Sequence, residues 1–491
     1  MRLIYTTALA VLISQSRSVA VAQSEIEIQQ ASRRVLQFSD ADSSALERVD
    51  GPTPDATVPK APDRTEAELD DMAAAALADL NRRLEEEDTG IKSVDHKAES
   101  SALPLPIIET EAAFIRLNSQ LTYEMLDFQN RQTNKELLIL RDAQAGVAGP
   151  HLSVGAQVRG SAIFGRTNTQ DRFPYLGRFP GDFTGRTVSD LRLLQSNQAI
   201  VAHANSWAHG YFETLFSDVF SFPTFEQGSF QVRQAYLVLG DLNASPFYAF
   251  LGKKNVSFGS FETLSPFTQA VPWHYFSALT EGGGIGFTAD GLDVQVMALN
   301  GGRGIRVADS NNFGQINNFA ANIRYERPVG DGAVLTVGAG YLHGTIYDVA
   351  VPEHIDPTAF GERNAAWDVN AQLRLGSLRI NGELVQTQRA WPATGHRITA
   401  FQIETARDFI VNDIPCTLST SLSEGEQGPG GSQFEFNRQF VVGLKVQPSP
   451  NAFFTLEYVR STGFAPLINI ATVSDRNVEQ NSVVAGFVLA I

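Results

Sequence analysis

From His151 onward apolar and polar residues alternate along the chain. Trp367, Val369, Ala371, Leu373 and Leu375 fall on one side of a period-2 pattern, and Asp368, Asn370, Gln372 and Arg374 on the other. An extended strand sends successive side chains to opposite faces, so this pattern predicts a strand with one apolar and one polar face. Leu378, Ile380, Gly382 and Leu384 oppose Arg379, Asn381 and Glu383 in the same way, and Phe319, Ala321, Ile323 and Tyr325 oppose Asn322, Arg324 and Glu326. Sixteen such segments can be counted, from 151–164 to 478–491. The links between them alternate in length. Asp290-Gly291, Gly376-Ser377 and 412–414 are tight, whereas 165–189, 259–276, 302–314 and 347–362 are long. Tight turns at one rim and long loops at the other are the signature of an outer-membrane barrel, with periplasmic turns and extracellular loops. A β-sandwich gives no reason for that asymmetry. The expected fold is all-β, a ~16-stranded antiparallel transmembrane β-barrel over 151–491. It would sit in the outer membrane of a Gram-negative bacterium, in contact with its lipid.

The residues before 151 have another texture. Arg2, the apolar run 3–13 and Ala20-Val21-Ala22 read as a signal peptide over 1–22. Residues 23–150 carry 25 Asp and Glu against 13 Lys and Arg, which accounts for 12 of the 16 net negative charges. The stretch 38–64 is acidic, Pro-dotted and poor in large apolar groups, so it is expected to be a disordered linker. Residues 65–88 read as a helix with a capping box at Thr65 and Glu68. A second helix is expected over 118–143, where Leu121, Met125, Phe128, Gln132 and Ile139 lie near heptad spacing and Lys135 interrupts the stripe. This weak coiled-coil signal leaves open an oligomerising stalk, hence a homo-oligomer, or a solvated helix packed on its own barrel. The expected fold is thus a barrel preceded by a partly disordered, partly helical periplasmic arm, too polar to form a folded plug.

Composition narrows the function classes. A net charge of −16 argues against nucleic acid as a partner. The one cysteine, Cys416, excludes an intrachain disulfide and a Cys-based zinc site. The eight histidines show no ligand spacing, His203 and His209 lying six apart, so no metal is expected. No phosphate-binding glycine loop or nucleophile constellation stands out, and the chain reads as a non-enzyme without cofactor. The last strand, with Val483, Ala485, Phe487, Leu489 and Ile491 alternating at the end, is the kind that barrel assembly machinery recognises, although an aromatic is the usual final residue.

Sixteen strands enclose water, whereas eight are filled by side chains. The polar faces should therefore line a pore for small solutes, with Arg324, Asp368, Arg374, Arg379, Glu383 and Lys445 pointing inward. Mid-strand arginines set against acidic loops predict a preference for anions. The long link 259–276 is placed where sixteen-stranded pores often fold a loop inward. Glu262 would then meet the lumen arginines; otherwise the loop packs on the extracellular rim. Residues 231–263, QVRQAYLVLGDLNASPFYAFLGKKNVSFGSFET, resemble the LbtU-type siderophore porin family. The matching pieces are Arg233-x-Ala235-Tyr236, the Gly-Asp-Leu turn at 240–242, Ser245-Pro246-Phe247-Tyr248-Ala249, Gly252-Lys253 and Phe258-Gly259. The resemblance implies a Gram-negative outer-membrane barrel with a helical N-terminal segment and passive passage of ferric siderophores, and it adds Arg233 to the candidate pore residues. A structural or adhesive barrel whose long loops bind surfaces is the alternative.

Overall fold

The computed structural model describes residues 115–117, 119–130, 134–145, 149–174, 185–217, 229–300, 315–330, 332–348, 363–464 and 475–491. The expected signal peptide, acidic linker and 65–88 helix lie outside the described residues, as do most of the long links.

A short strand β1 (Ile115–Leu117) and two helices, α1 (Ser119–Leu126) and α2 (Glu136–Gln144), precede the barrel. Sixteen strands follow: β2 (His151–Thr167), β3 (Thr187–His203), β4 (Ala208–Ser217), β5 (Ser229–Leu239), β6 (Phe247–Asn255), β7 (Leu279–Ala289), β8 (Leu292–Asn300) and β9 (Ile316–Gly330), then β10 (Ala333–Leu342), β11 (Ala366–Leu375), β12 (Leu378–Trp391), β13 (His396–Val411), β14 (Ile414–Glu426), β15 (Asn437–Ser449), β16 (Ala452–Gly463) and β17 (Glu479–Ala490). A third helix, α3 (Val271–Phe276), lies between β6 and β7. Each barrel strand pairs antiparallel with its sequence neighbours, and β17 closes the cylinder on β2 from Gln480↔Thr167 to Ala490↔Gln157. Closure leaves the barrel strands without a free edge along that shared length.

The alternation has a physical cause on each face. Val369, Phe454, Leu456 and Leu489 are each about half exposed on the outside. Their strand neighbours Asp368 and Glu457 point inward and are buried. An arginine at mid-membrane on the outer face would cost about 2–4 kcal/mol, so lipid enforces the pattern. Among the described residues no helix is long and apolar enough to cross a membrane; the strands do so. The tight turns gather at one rim. Asp290 and Gly291 both take positive φ (51° and 82°), as do Asn412 and Asp413 (50° and 63°). That is the backbone of a two-residue hairpin whose twist matches the strands it joins. This rim, which also carries His151 and the C-terminus, is the periplasmic one, and the chain is a Gram-negative outer-membrane barrel.

Two expectations are corrected. The second helix is broken in two, and it lies inside the barrel rather than beneath it. Strand β2 outruns β17 at the periplasmic rim, because Ile491 reaches only Ala156. Strand β1 fills the edge left over, pairing parallel with Leu152–Val154. From there α1 enters the lumen, where Thr122, Met125 and Phe128 are almost wholly buried. A backbone hydrogen of Gly155 faces Thr122, and a Cβ there would meet its side chain at 2.1 Å. Polar lumen contacts, described next, stabilise a segment whose sequence looks too polar for a plug.

Candidate functional site

The link between β6 and β7 turns inward. Val256 N–H donates to the Ala278 carbonyl at 2.9 Å, and the residues between form a loop across the lumen. Phe258, Phe261, Phe267, Tyr275 and Phe276 are buried in it. Three carboxylates from the barrel wall hold its backbone. Glu383 on β12 accepts the N–H groups of Ser260 (2.8 Å) and Phe261 (3.0 Å). Glu404 on β13 accepts the Thr263 hydroxyl (2.8 Å) and Leu264 N–H (2.7 Å). Glu457 on β16 accepts Phe267 N–H (2.7 Å), Thr268 N–H (3.1 Å) and the Thr268 hydroxyl (2.5 Å). A loop that leaves the sheet gives up its ladder partners, and charge-assisted bonds replace them at about twice the strength of neutral ones. Phe261 has φ +48°, a left-handed conformation rare for an aromatic residue, and both oxygens of Glu383 accept its N–H. Opposite Phe267 the wall carries Gly486, where a Cβ would stand 2.6 Å from the ring.

The N-terminal segment locks against this loop. Lys135, the residue that interrupts the apolar stripe, donates from Nζ to the carbonyls of Glu124 (2.7 Å), Met125 (2.7 Å) and Asp127 (3.2 Å). It thereby satisfies the open carbonyl end of α1, where the helix dipole favours a cation. Glu136 pairs with Lys254 on β6 at 2.5 Å, and Asn134 donates to Asp293 on β8. Gln129 donates to the Ser265 carbonyl at 2.9 Å, and Gln269 donates to the Phe128 carbonyl. The Arg159 guanidinium of β2 lies between the rings of Phe128 (3.2 Å to the centroid) and Phe267 (4.7 Å). A cation desolvated between two aromatic faces contributes on the order of 2 kcal/mol, so Arg159 ties segment, loop and wall together.

The structure brings four of the expected pore residues together and disperses the rest. A cavity of about 270 Å³ remains between residues 127–130, the loop at 262–264 and the wall of β9 to β12. Glu262, Arg324, Arg374 and Arg379 line it. Glu262 lies 3.7 Å from Arg324 and accepts a hydrogen bond from Gln372. Arg324 also lies 3.8 Å from Glu326, and Arg379 pairs with Asp408 at 2.8 Å. Among the described residues Arg374 makes no ion pair. Asp368 is buried and accepts from Asn370 at 2.7 Å, while Glu383 holds the loop. Arg233 belongs to a separate network on the far wall, 3.1 Å from Glu213, which also accepts from Asn197 (2.6 Å) and Gln234 (2.8 Å). Lys445 lies over the Phe453 ring at 4.2 Å. The contrast of basic strands with acidic loops does not hold in space. Glu213, Asp293, Asp368, Glu383, Glu404 and Glu457 all lie on strands, point inward and are buried. Asp127, Glu262 and Glu326 stand around the cavity beside its three arginines.

No protein-family model matches the sequence, and no curated protein matches it. Among solved structures the chain is similar to the outer membrane channel DcaP of Acinetobacter baumannii, at 12% identity over 70% of this chain and 99% of that one, with a TM-score of 0.46. It is also similar to an anion-selective porin from Comamonas acidovorans, at 10% identity over 70% and 100% of the two chains, with a TM-score of 0.47. OmpF of Salmonella typhi, solved with daunomycin, aligns at 14% identity over 70% of this chain and 98% of its own, with a TM-score of 0.45.

Proposed function

We propose that the chain is an outer-membrane channel for passive passage of small solutes. The observation that carries this reading is the cavity lined by Glu262, Arg324, Arg374 and Arg379, a charged, roomy space between the loop, the N-terminal segment and the barrel wall. About 10–15 Å³ suffices for one water, so 270 Å³ holds a cluster of waters or a small hydrated solute. Three guanidinium groups face three carboxylates around it, so net charge gives no strong selectivity, and the unshared Arg374 tilts the preference toward anions. The resemblance to LbtU-type siderophore porins adds ferric siderophores as the finer cargo. Ligands of that class occupy pockets of roughly 300–1,000 Å³, so their passage requires the N-terminal segment to move aside.

Planar-bilayer recording of the purified full chain tests the channel, and growth of a deletion strain on ferric siderophores tests the cargo. Small, steady conductance steps with a weakly anion-shifted reversal potential are expected. Absence of any conductance from folded protein would refute the channel and favour a structural barrel whose loops bind surfaces.

A further inference from the structure

Three histidines far apart in sequence form one row at the periplasmic rim. The register pairs His151 on β2 with His203 on β3, and His203 with His209 on β4. All three point inward and are buried. From α2, Asp142 reaches the same place, with Oδ2 3.2 Å from His203 Nε2. One ring nitrogen from each of His151 and His203 and one carboxylate oxygen of Asp142 lie within 4.8 Å of one another.

The hydrogen bonds around the row orient the rings. A carbonyl only accepts, so His209 Nε2, 3.3 Å from the Gly240 carbonyl, carries a hydrogen. Its Nδ1 lies 2.9 Å from His203 Nδ1, and the two rings share a hydrogen there. His203 Nε2 is thereby turned to the Asp142 carboxylate. His151 Nδ1 lies 3.1 Å from the Gly149 carbonyl and donates to it, which turns Nε2 to the same place. The two imidazoles are stacked, 4.7 Å between centroids and 21° between planes. Two imidazole nitrogens and one carboxylate oxygen thus converge at one place on the inner wall.

We propose that Asp142, His151 and His203 bind a divalent transition-metal ion of the zinc type. Neutral imidazole nitrogens and one carboxylate oxygen are the donor set such ions take, at about 2.0–2.2 Å each. Tetrahedral ligands are then roughly 3.3–3.5 Å apart, which a small rotamer adjustment of this cluster reaches. His209 acts as a positioning residue: through His203 Nδ1 it orients the ring, as outer hydrogen bonds do for metal-bound imidazoles. Because Asp142 sits on α2 and the histidines on β2 and β3, the ion fastens the lumen segment to the wall at the periplasmic side. A bare ion pair between a protonated His203 and Asp142 is the competing account.

Full-length protein, stripped with a chelator in detergent and titrated calorimetrically with Zn²⁺ alone, separates the two. One ion per chain is expected. His151→Asn, His203→Asn and Asp142→Asn should each weaken binding at least tenfold, and His209→Asn by about 10–100-fold. His343→Asn, at the opposite rim, should bind as wild type. Zn²⁺ should also slow amide exchange across 136–144 in the wild type and not in Asp142→Asn. Heat-modifiable mobility reports folding, and Asp142→Asn, which lies off the strand ladder, decides the matter if a histidine variant fails to assemble. No saturable binding to the wild type, or wild-type binding by the folded variants, overturns the proposal.

Discussion

Replacing Glu457 by alanine should unseat the inner loop while leaving the barrel closed. The carboxylate is fully buried and accepts two backbone N–H groups and one hydroxyl, from Phe267 and Thr268. Alanine leaves all three donors facing a void. Each buried, unmet donor costs about 1–3 kcal/mol, so the loop loses roughly 3–6 kcal/mol once some water enters. The strand ladder does not depend on these bonds, so the loss falls on the balance between seated and unseated loop. At about 1.4 kcal/mol per tenfold, that balance shifts by 10²–10⁴. Glutamine keeps an acceptor oxygen and the side-chain shape, so it should cost only ~1–2 kcal/mol. Amide exchange at 267 and 268, read by mass spectrometry in detergent, should accelerate in the order wild type, Glu457→Gln, Glu457→Ala. Single-channel records should gain larger and noisier openings in the same order. Unchanged exchange and unchanged conductance in a folded Glu457→Ala protein would refute the assignment of Glu457 as an anchor.

Three further outcomes are expected. Deleting residues 115–145 should leave a barrel that still shows heat-modifiable mobility but conducts several-fold more than the full chain; equal conductance would place the segment outside the permeation path. Arg374→Gln should move the reversal potential under a salt gradient toward cations more than Arg379→Gln does, because Arg379 is already paired with Asp408. At the outer rim, burial pushes Asp348 up to about 7 although Arg363 lies 3.4 Å away. A carboxyl raised above its unfolded value contributes stability below about 4 and loses it as pH climbs to about 7. The folded band should therefore resist heat better at pH 5 than at pH 8 in the wild type, and Asp348→Asn should remove that difference.

The wall was legible from the sequence because lipid and water impose opposite demands on alternate residues. Strands such as β8, β13, β16 and β17 follow that rule, and the tight turns mark one rim. The contents of the lumen obey no such local rule. Glu383 reads as pore-lining charge, yet its partners are backbone groups more than a hundred residues away in the chain. Lys135 reads as a flaw in a heptad stripe, and only the break between α1 and α2 reveals it as the cap of a helix end. His151, His203 and His209 lack helical ligand spacing because strand register, not helical periodicity, aligns them. Arg233 carries a motif but sits in the Glu213 network, away from the cavity, because the sheet places β5 on the other wall.

The N-terminal segment enters the lumen beside β2 and returns to the same rim at His151. Both ends of the described segment thus lie at one rim, like the two ends of a cork's wire. The segment's first described element is β1, whose ladder to β2 spans three residues. A pull on Ile115 is therefore borne first by this short strand and α1, before it reaches the bonds of Lys135, Glu136 and Asp142. The segment can be unseated mechanically from its weakest end inward, with the sixteen-strand cylinder acting as a rigid mount.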